Sequence, residues 1–357
     1  MGAVLSLTGA GASLGIPARN VIALLPAEIA GQKVRYVVLD DGSDGVRALR
    51  AFQMLVRDER VDLVLGPSIT ATSLSVLPEA GSSGTPMISL AGADAIIVPQ
   101  EGNKRWAFKL AAPEAAMLAG PLDHLKAKGG KTIAAIAQTG AFGDAFIAAL
   151  NSEAERRGLR VTGVEKYRIT DTTMTSQTQR ILIAKPDAVF IAGSGTPGAL
   201  PVIELRSRGY GGMIIHNQAS ATPDFLRVAG RAAEGLVLSA SPVTVAEQLP
   251  AEHPLKSPVM DFVRLYEGRH GANSRSQFAA TAWDAHLLFA RAVPKALAIA
   301  RPGMPEFRAA LRDAIERDAP LAGAAGFYAM SPTNHNGTDG RSLVVITVKD
   351  GTWQLLK

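Results

Sequence analysis

Short apolar runs alternate with helix-like stretches along the chain, and almost every run ends in a loop of Gly, Ser and Thr. Strands that are buried on both faces appear in a sequence as continuous apolar runs. Helical crossovers between such strands imply parallel sheets. We therefore predict an α/β fold, in which the loops at the carboxyl ends of the strands form the ligand crevice. Clear examples of this pattern are residues 61–68, 133–140 and 187–194.

Length and composition limit the possible classes of protein. A chain of 357 residues favours two domains over one core. A hydrophobic content of 47% with 19% charged residues is typical of a globular protein. No apolar run approaches the length that crosses a bilayer. The 37 Lys and Arg residues are scattered and form no basic run, which argues against a nucleic-acid partner.

Several local patterns predict individual elements. A helix is expected over residues 15–30, and Ser43 or Asp44 is expected to cap the helix that follows the second strand. Residues 241–258 are rich in proline and acidic residues and are predicted to be a connecting loop. Pro294 is expected to kink or stop a helix over residues 276–300. Asp350-Gly351 is predicted to form the turn of a C-terminal hairpin.

A nucleotide site has weak support in the sequence. Gly9, Gly11 and Gly15 follow the first strand, but the gap before Gly15 is one residue longer than in the Gly-x-Gly-x-x-Gly fingerprint of dinucleotide-binding folds. Asp40 is a candidate for the acidic residue that ends the second strand in such folds. No Gly-x-x-x-x-Gly-Lys-Ser/Thr loop is present, so a P-loop ATPase is disfavoured. No cofactor is expected.

The sequence contains no recognisable catalytic motif. There are no cysteines, and the six histidines form neither His-x-x-x-His nor His-Glu-x-x-His, so no metal site is expected. His216 ends a strand and either faces the crevice or is a polar residue at the strand edge. No Gly-x-Ser-x-Gly elbow and no nucleophile–base pair is found, which favours a binding protein over an enzyme.

Two loops of the first half of the chain could bind an anion. Ser68 and Thr70 lie at the start of the helix after the third strand, where unpaired backbone N–H groups and the helix dipole attract negative charge. Ala91 and Gly92 follow the fourth strand, and glycine permits close backbone approach. A carboxylate between these loops would receive hydroxyl and amide hydrogen bonds. Alternatively, Ser68 or Thr70 only caps its helix.

The chain resembles the periplasmic leucine/isoleucine/valine-binding protein family, the type I solute-binding subunits of ABC importers. The resemblance spans nearly the whole chain, and the order and spacing of its motifs carry it. The motifs are Gly2-Ala-Val-Leu-Ser-Leu-Thr-Gly9, Val64-Leu-Gly-Pro-Ser-Ile-Thr-Ala-Thr72, Thr85-Pro-Met-Ile-Ser89, Phe142-Gly-Asp144, Asp187-Ala-Val-Phe-Ile-Ala-Gly193, Ala233-Glu-Gly-Leu236 and Trp283-Asp-Ala285.

This resemblance implies two Rossmann-like parallel-sheet lobes, joined by three strands, that close on a ligand like a hinge. It also implies that the chain crosses between the lobes. The N-terminal lobe would comprise residues 1–112 and 242–325. The C-terminal lobe would comprise residues 113–241 and 326–357.

The resemblance also implies ligand-binding positions. Thr70 stands where the family has a hydroxyl that binds the ligand carboxylate, and Gly92 and Ala93 stand in the second carboxylate loop. Ala93 replaces the family's usual threonine, which leaves only an amide donor. Leu14 and Phe142 stand where amino-acid binders of the family often have tyrosines that flank the ligand. Ser194 and Gly195 replace bulky aromatic side chains of the family, which implies more room on the side of the second lobe.

Asn217 and Gln218 follow strand residue His216, and amino-acid binders of the family have a carboxylate at the position of Gln218. That carboxylate pairs with the ammonium of the ligand. Gln218 is uncharged, and losing one charge of a buried pair costs roughly 3–5 kcal/mol. We therefore predict a ligand with a carboxylate but no α-ammonium, such as an aromatic acid or an aromatic or branched 2-oxo acid.

Three functions stay open at this point. The first is an exported receptor that passes a small carboxylate, or a branched-chain amino acid, to the permease of an ABC importer. The others are a cytosolic sensor of the same fold and an α/β enzyme with an unrecognised site. Because the chain starts inside an apolar strand, we expect a leader and a few strand residues upstream of Met1 and a periplasmic location.

Overall fold

The computed structural model describes residues 1–356, which form two principal β-sheets covered by helices. The strands are β1 (Gly2–Leu5), β2 (Glu28–Ile29), β3 (Gln32–Lys33), β4 (Val37–Asp40), β5 (Val64–Leu65), β6 (Met87–Ser89), β7 (Ala107–Lys109), β8 (Thr132–Gln138), β9 (Arg160–Tyr167), β10 (Ala188–Ala192), β11 (Met213–His216), β12 (Val237–Ala240), β13 (Leu321–Ala322), β14 (Phe327–Tyr328), β15 (Val344–Lys349) and β16 (Thr352–Leu355).

The helices lie between these strands and in a block near the C-terminus. They are α1 (Ala12–Ile22), α2 (Gly45–Arg57), α3 (Thr70–Ser83), α4 (Glu114–Ala127), α5 (Ala141–Arg156), α6 (Thr175–Ile183), α7 (Ala199–Ser207), α8 (Pro223–Ala229), α9 (Lys256–His270), α10 (Gln277–Leu297) and α11 (Pro305–Glu316).

The first sheet has the strand order β4-β1-β5-β6-β7, and its neighbouring strands are parallel. In β1, Ala3 pairs with Val38, and the residues of β1, β5, β6 and β7 are buried. The continuous apolar runs therefore correspond to strands that are covered on both faces, as predicted.

The second sheet has the strand order β16-β15-β12-β11-β10-β8-β9. Strands β8 to β12 pair in parallel, whereas β15 is antiparallel to β12 and to β16. The predicted turn between β15 and β16 is confirmed, because Asp350 and Gly351 both have positive φ, at 52° and 70°. The C-terminal hairpin thus belongs to the second sheet, and the predicted fold of two parallel-sheet lobes is confirmed.

The helices of the C-terminal block return to the first sheet. Helix α10 packs against α1 and α11, and the Tyr266 hydroxyl in α9 donates to the carbonyl of Pro17, 3.4 Å away. The lobe boundaries at 112/113, 241/242 and 325/326 stay a prediction. The last predicted segment also includes residue 357, which lies outside the described residues.

Three local predictions need correction. The first helix is shorter than expected, because it ends at Ile22 and the short β2–β3 hairpin replaces its second half. The expected loop over residues 241–258 was too long, since α9 begins at Lys256. Pro294 was expected to kink or stop its helix, and the stop is wrong, because helix α10 continues past Pro294 to Leu297. Pro294 is exposed there, so water can bond the carbonyl that the missing N–H leaves free.

The loop that follows β1 is held by local hydrogen bonds. Asp40 accepts the backbone N–H groups of Leu7 and Thr8, at 2.9 and 3.2 Å. A Cβ atom at Gly15 would lie 2.1 Å from the carbonyl oxygen of Ser6, so α1 approaches the strand closely. Residues that suggested a dinucleotide fingerprint thus have structural roles in the turn between β1 and α1.

Candidate functional site

A cavity of about 810 Å³, open to solvent at its mouth, lies between the strand ends of the two sheets. Its lining comes from the loops after β5, β6, β10 and β11, together with the starts of α1, α5 and α10. Nine residues proposed from the sequence as ligand contacts line this cavity, namely Leu14, Ser68, Thr70, Ala91, Gly92, Phe142, Ser194, Asn217 and Gln218.

Two proposed contacts do not line the cavity. Ala93 is fully buried and precedes a short 3-10 turn that begins at Asp94. Gly195 has a φ of 60° and faces α1 instead, where a Cβ atom would lie 2.8 Å from Oγ of Ser13. Loop curvature places these backbones one position beyond the cavity wall, which the motif spacing did not reveal.

The start of α3 offers hydrogen-bond donors to the cavity. Ile69 is the N-cap residue and makes no side-chain capping bond, so the first N–H groups of α3 keep no intrahelical partner. Thr70 is 4% exposed, and its Oγ1 is buried without a hydrogen-bond partner among residues 1–356. Thr70 therefore does not cap its helix, and its hydroxyl is free for a ligand. Together these groups give the cavity a neutral end with free hydrogen-bond donors, the arrangement that helix N-termini offer to anions.

The neighbouring serines are largely engaged with the protein. Oγ of Ser68 accepts the backbone N–H of Ser6 at 3.2 Å. Oγ of Ser89 accepts the N–H of Ala91 at 3.1 Å and lies 2.8 Å from Oγ of Ser73. These bonds hold the loop after β5 and the residues after β6 in place, and they occupy the backbone N–H of Ala91. Ala91 therefore contributes shape rather than a free donor.

A buried lysine, which the sequence analysis did not identify, holds the second loop. Lys109 is fully buried at the end of β7, and its Nζ lies 2.7 Å from Oδ1 of Asp94. The same ammonium donates to the carbonyls of Gly92, Ala111 and Ala112 at 2.9, 3.0 and 3.2 Å. Lys109 thus links the Gly92 loop to the segment that leaves the first sheet. A lysine inside the apolar run Phe108-Lys109-Leu110 was the signal that could have revealed it.

Glu114 adds a second link at this crossing. Its Oε1 accepts the backbone N–H of Asp94 at 2.9 Å, so the first turn of α4 contacts the Gly92 loop. Burial, followed by the side-chain hydrogen bond with the Asp94 carboxylate, raises the pKa of Glu114, whereas the charge of Lys109 and the backbone N–H of Asp94 oppose that rise. The cluster ties the loop after β6 to the start of the second half of the chain.

Asn217 lines the cavity, but its side-chain amide is already used. Its Nδ2 donates to the Gly193 carbonyl at 2.7 Å, and its Oδ1 accepts the Ala219 N–H at 2.8 Å. His216 faces away from the cavity, because its Nε2 lies 3.1 Å from the carbonyl oxygen of Gly198. Burial lowers the pKa of His216 to about 4, so the ring is neutral at pH 7. Both residues shape the loop that carries Gln218.

Three glutamines face the cavity, and two of them were not proposed from the sequence. Oε1 of Gln138 accepts the Ser194 hydroxyl at 3.0 Å. Gln277, the first residue of α10, donates from Nε2 to the backbone carbonyl of Gln218. The Oε1 atoms of Gln218 and Gln277 are buried and have no hydrogen-bond partner in the described chain. These are free acceptors, in contrast to the donors at Thr70.

Apolar side chains form the rest of the wall. The rings of Phe142 and Phe146 lie on one face of α5 with centroids 5.1 Å apart at an interplanar angle of 66°. Such a surface suits a flat apolar group. The other large apolar residues of the lining are Leu14, Ile69, Leu90, Leu110, Met117 and Phe278.

The cavity is electrically neutral. Within residues 1–356, none of the side chains that line it belongs to Asp, Glu, Lys, Arg or His. The same residues contain no group of three or more His, Cys, Asp or Glu side chains that could hold a metal ion. Because the lining is neutral, a charged ligand group must be stabilised by dipoles and hydroxyls.

No described helix is both long enough and apolar enough to span a bilayer.

Comparison with known proteins identifies the family. The family model described as "Periplasmic binding protein" matches residues 1–352. The chain belongs to this family. Its members are solute-binding receptors of ABC transporters rather than enzymes, which agrees with the predicted class. None of the curated proteins compared with the chain matches it.

Solved structures of other periplasmic binding proteins share the fold. An extracellular ligand-binding receptor from Rhodopseudomonas palustris HaA2 is 36% identical, with a TM-score of 0.95, over 99% of this chain and 98% of that chain. A leucine binding protein from Thermotoga maritima MSB8 is 20% identical, with a TM-score of 0.86, over 100% and 97%. A solute binding protein of an ABC transporter from Rhodopseudomonas palustris BisB5, in complex with 3,4-dihydroxybenzoic acid, is 22% identical, with a TM-score of 0.81, over 99% and 94%. The predicted resemblance is confirmed.

Proposed function

We propose that this periplasmic binding protein is the extracytoplasmic receptor of an ABC importer for a small carboxylate that lacks an α-ammonium. An aromatic acid or an aromatic or branched 2-oxo acid is the favoured ligand. The bound form would be delivered to permease subunits in the membrane. The observation that carries the proposal is a neutral cavity with free donors at Thr70 and a glutamine at position 218.

The carboxylate is assigned to the start of α3. Thr70 provides a buried hydroxyl without a protein partner, and the first N–H groups of α3 have no intrahelical acceptor. An anion at a helix N-terminus is favoured by typically 0.3–1 kcal/mol from the dipole, more where it is partly buried. Gly92, across the cavity, leaves room for the anion because it has no side chain. A carboxylate here satisfies groups that are otherwise unpaired.

The absence of a countercharge argues against an amino acid. Gln218 is neutral, and no lining side chain in the described residues is a carboxylate. A buried ammonium without an anionic partner would lose several kcal/mol of solvation. A 2-oxo group or an aromatic carbon in place of the ammonium avoids this cost, and the amide of Gln218 is able to bond a carbonyl or hydroxyl.

The apolar wall favours a ring or a branched chain. Phe142 and Phe146 present adjacent aromatic faces, and Ser194 keeps the opposite side uncrowded. An aromatic acid would stack or pack edge-on against these rings. The fold relative that holds 3,4-dihydroxybenzoic acid supports this class of ligand for the fold.

Hinge closure is the proposed mode of capture. We propose that the halves divide at 112/113, 241/242 and 325/326, so that three crossings form the hinge. Gly195 approaches Ser13 from the opposite half, and Glu114 bonds the loop of Asp94 at the first crossing. Closure would bury the ligand between these contacts and exclude water from the carboxylate.

The proposal is tested by thermal shift with pairs of ligands of equal shape. 4-Methyl-2-oxopentanoate is compared with leucine, and phenylpyruvate with phenylalanine. A ligand at about 100 times its Kd adds roughly 2.7 kcal/mol to the free energy of unfolding. We expect the oxo acids or simple aromatic acids to raise Tm and the amino acids to leave it unchanged. A rise with leucine alone would favour branched-chain amino-acid binding instead.

A further inference from the structure

Gln277 is a buried polar side chain at the cavity wall whose position is set by helix α10. It is 4% exposed and begins α10, which is capped by Ser276 through the Ala279 N–H at 3.2 Å. The Thr281 hydroxyl donates to the Gln277 carbonyl at 2.7 Å, which anchors its backbone. The position of the side chain is therefore set by the helix and does not depend on a mobile loop.

The orientation of the Gln277 amide is also fixed. Its Nε2 donates to the backbone carbonyl of Gln218, and a carbonyl accepts hydrogen bonds only. A flipped amide would bring two oxygens together, so Oε1 of Gln277 must be the free atom. That oxygen is buried without a hydrogen-bond partner among residues 1–356, and Oε1 of Gln218 is likewise unpaired there.

This part of the cavity therefore favours a ligand that carries a hydrogen-bond donor. An amide oxygen that is removed from water and left unbonded destabilises the closed form. The nearby hydroxyl of Thr281 is already committed to the Gln277 carbonyl, and the Ser194 hydroxyl is committed to Gln138. Neither protein hydroxyl is free to turn toward Gln277, so a donor on the ligand can satisfy Oε1 of Gln277 without breaking a protein hydrogen bond.

We infer that Gln277 determines specificity by accepting a hydrogen bond from a neutral hydroxyl of the ligand. The inference rests on the proposed function, because the carboxylate of the same ligand is assigned to Thr70. It narrows the ligand to a hydroxyl-bearing carboxylic acid, with a hydroxyaryl acid fitting the walls of Phe142 and Phe146. A methoxy group at the same position has no hydrogen to donate, so its oxygen and Oε1 of Gln277 would be two acceptors that face each other. An ammonium would find no carboxylate in the lining of the described chain.

The test measures calorimetric affinities for aryl carboxylates in three forms: unsubstituted, hydroxylated and methoxylated. Benzoate, phenylacetate and 3-phenylpropionate provide three chain lengths, with substituents at ring positions 3 and 4. For the scaffold that binds best, we expect the hydroxylated acid to bind at least tenfold more tightly than the methoxylated acid. A preference below twofold for acids that do bind would overturn the role of Gln277 but leave the proposed function intact.

Variants separate this role from a structural one. Gln277→Met keeps the length and volume of the side chain but has no amide, and we expect the preference for hydroxyl over methoxy to fall below threefold. Thr70→Val should weaken all three forms by the same factor and keep their ratio. A preference that persists in Gln277→Met would refute the assignment. If none of these acids binds the wild-type protein but a 2-oxo acid does, the assignment of Gln277 fails and the proposed function stands. If neither these acids nor the 2-oxo acids bind, the proposed function fails as well.

Discussion

At the scale of single residues, Thr70 is the side chain on which the carboxylate contact depends most. Its Oγ1 has no partner in the described chain, so Thr70→Val removes a ligand contact without breaking a protein hydrogen bond. We expect acid affinity to fall about tenfold, which corresponds to roughly 1.4 kcal/mol. Thr175→Val is the matched control, because Thr175 is the first residue of α6 and lies outside the cavity lining. Equal calorimetric affinities for the two variants would exclude the contact.

Single residues were predictable from the sequence where a short motif contained them. Thr70 and Gln218 follow strands within recognisable loops, and the structure brings both to one cavity. Gln277 was not predictable, because its amide meets the carbonyl of Gln218 across 59 residues of sequence. Lys109 was missed although it interrupts an apolar run, because the backbone carbonyls that it bonds carry no sequence signal of their own.

At the scale of elements, the sequence left Ser43 and Asp44 as candidates for the N-cap of α2, and the structure shows that Asp44 caps the helix. Oδ1 of Asp44 accepts the backbone N–H of Arg47 at 2.8 Å. Ser43 instead donates to the Thr8 carbonyl at 2.8 Å. We expect Asp44→Ala to lower the free energy of unfolding by about 1 kcal/mol, measured by urea denaturation. An unchanged free energy would mean that water replaces the cap fully.

Helix α10 carries a buried histidine that should make stability depend on pH. His286 is 3% exposed, and burial lowers its pKa from 6.5 to about 4. The pKa of His286 is lower in the folded protein than in the unfolded chain, so protonation at low pH favours unfolding. The contribution of neutral His286 to the free energy of unfolding is therefore fully present above pH 6.5 and is lost as the pH falls toward 4. Relative to His286→Phe, the wild type should lose at most about 3 kcal/mol over this range. If denaturation curves show the same change in the free energy of unfolding between pH 7 and pH 4.5 for both proteins, this prediction is contradicted.

Element boundaries differed from prediction where competing signals overlapped. Helix α9 buries Val259, Phe262, Val263 and Tyr266, a helical spacing that the sequence contains. Charged residues between them obscured that spacing, and the proline-rich segment before it extended the expected loop. The strands of the sheets were predicted more closely, because burial on both faces requires uninterrupted apolar runs.

At the scale of the whole molecule, the fold was predictable because the order of strands and loops is repeated in both halves. The return of the C-terminal hairpin to the second sheet came from the family resemblance, and the antiparallel pairing of Val237 with Thr347 agrees with it. The ligand class depends on the two halves together. Thr70 and Gln277 come from distant segments, and neither segment alone defines the cavity.

The most direct measurement is isothermal titration of the wild-type protein and Gln218→Glu with 4-methyl-2-oxopentanoate and leucine. These ligands differ at the 2-position, where one has an oxo group and the other an ammonium. We predict that the wild type prefers the oxo acid at least tenfold and that Gln218→Glu reverses this preference. Gln138→Glu places the same charge elsewhere in the cavity and should not gain leucine binding. Tighter binding of leucine than of the oxo acid to the wild-type protein would contradict the account.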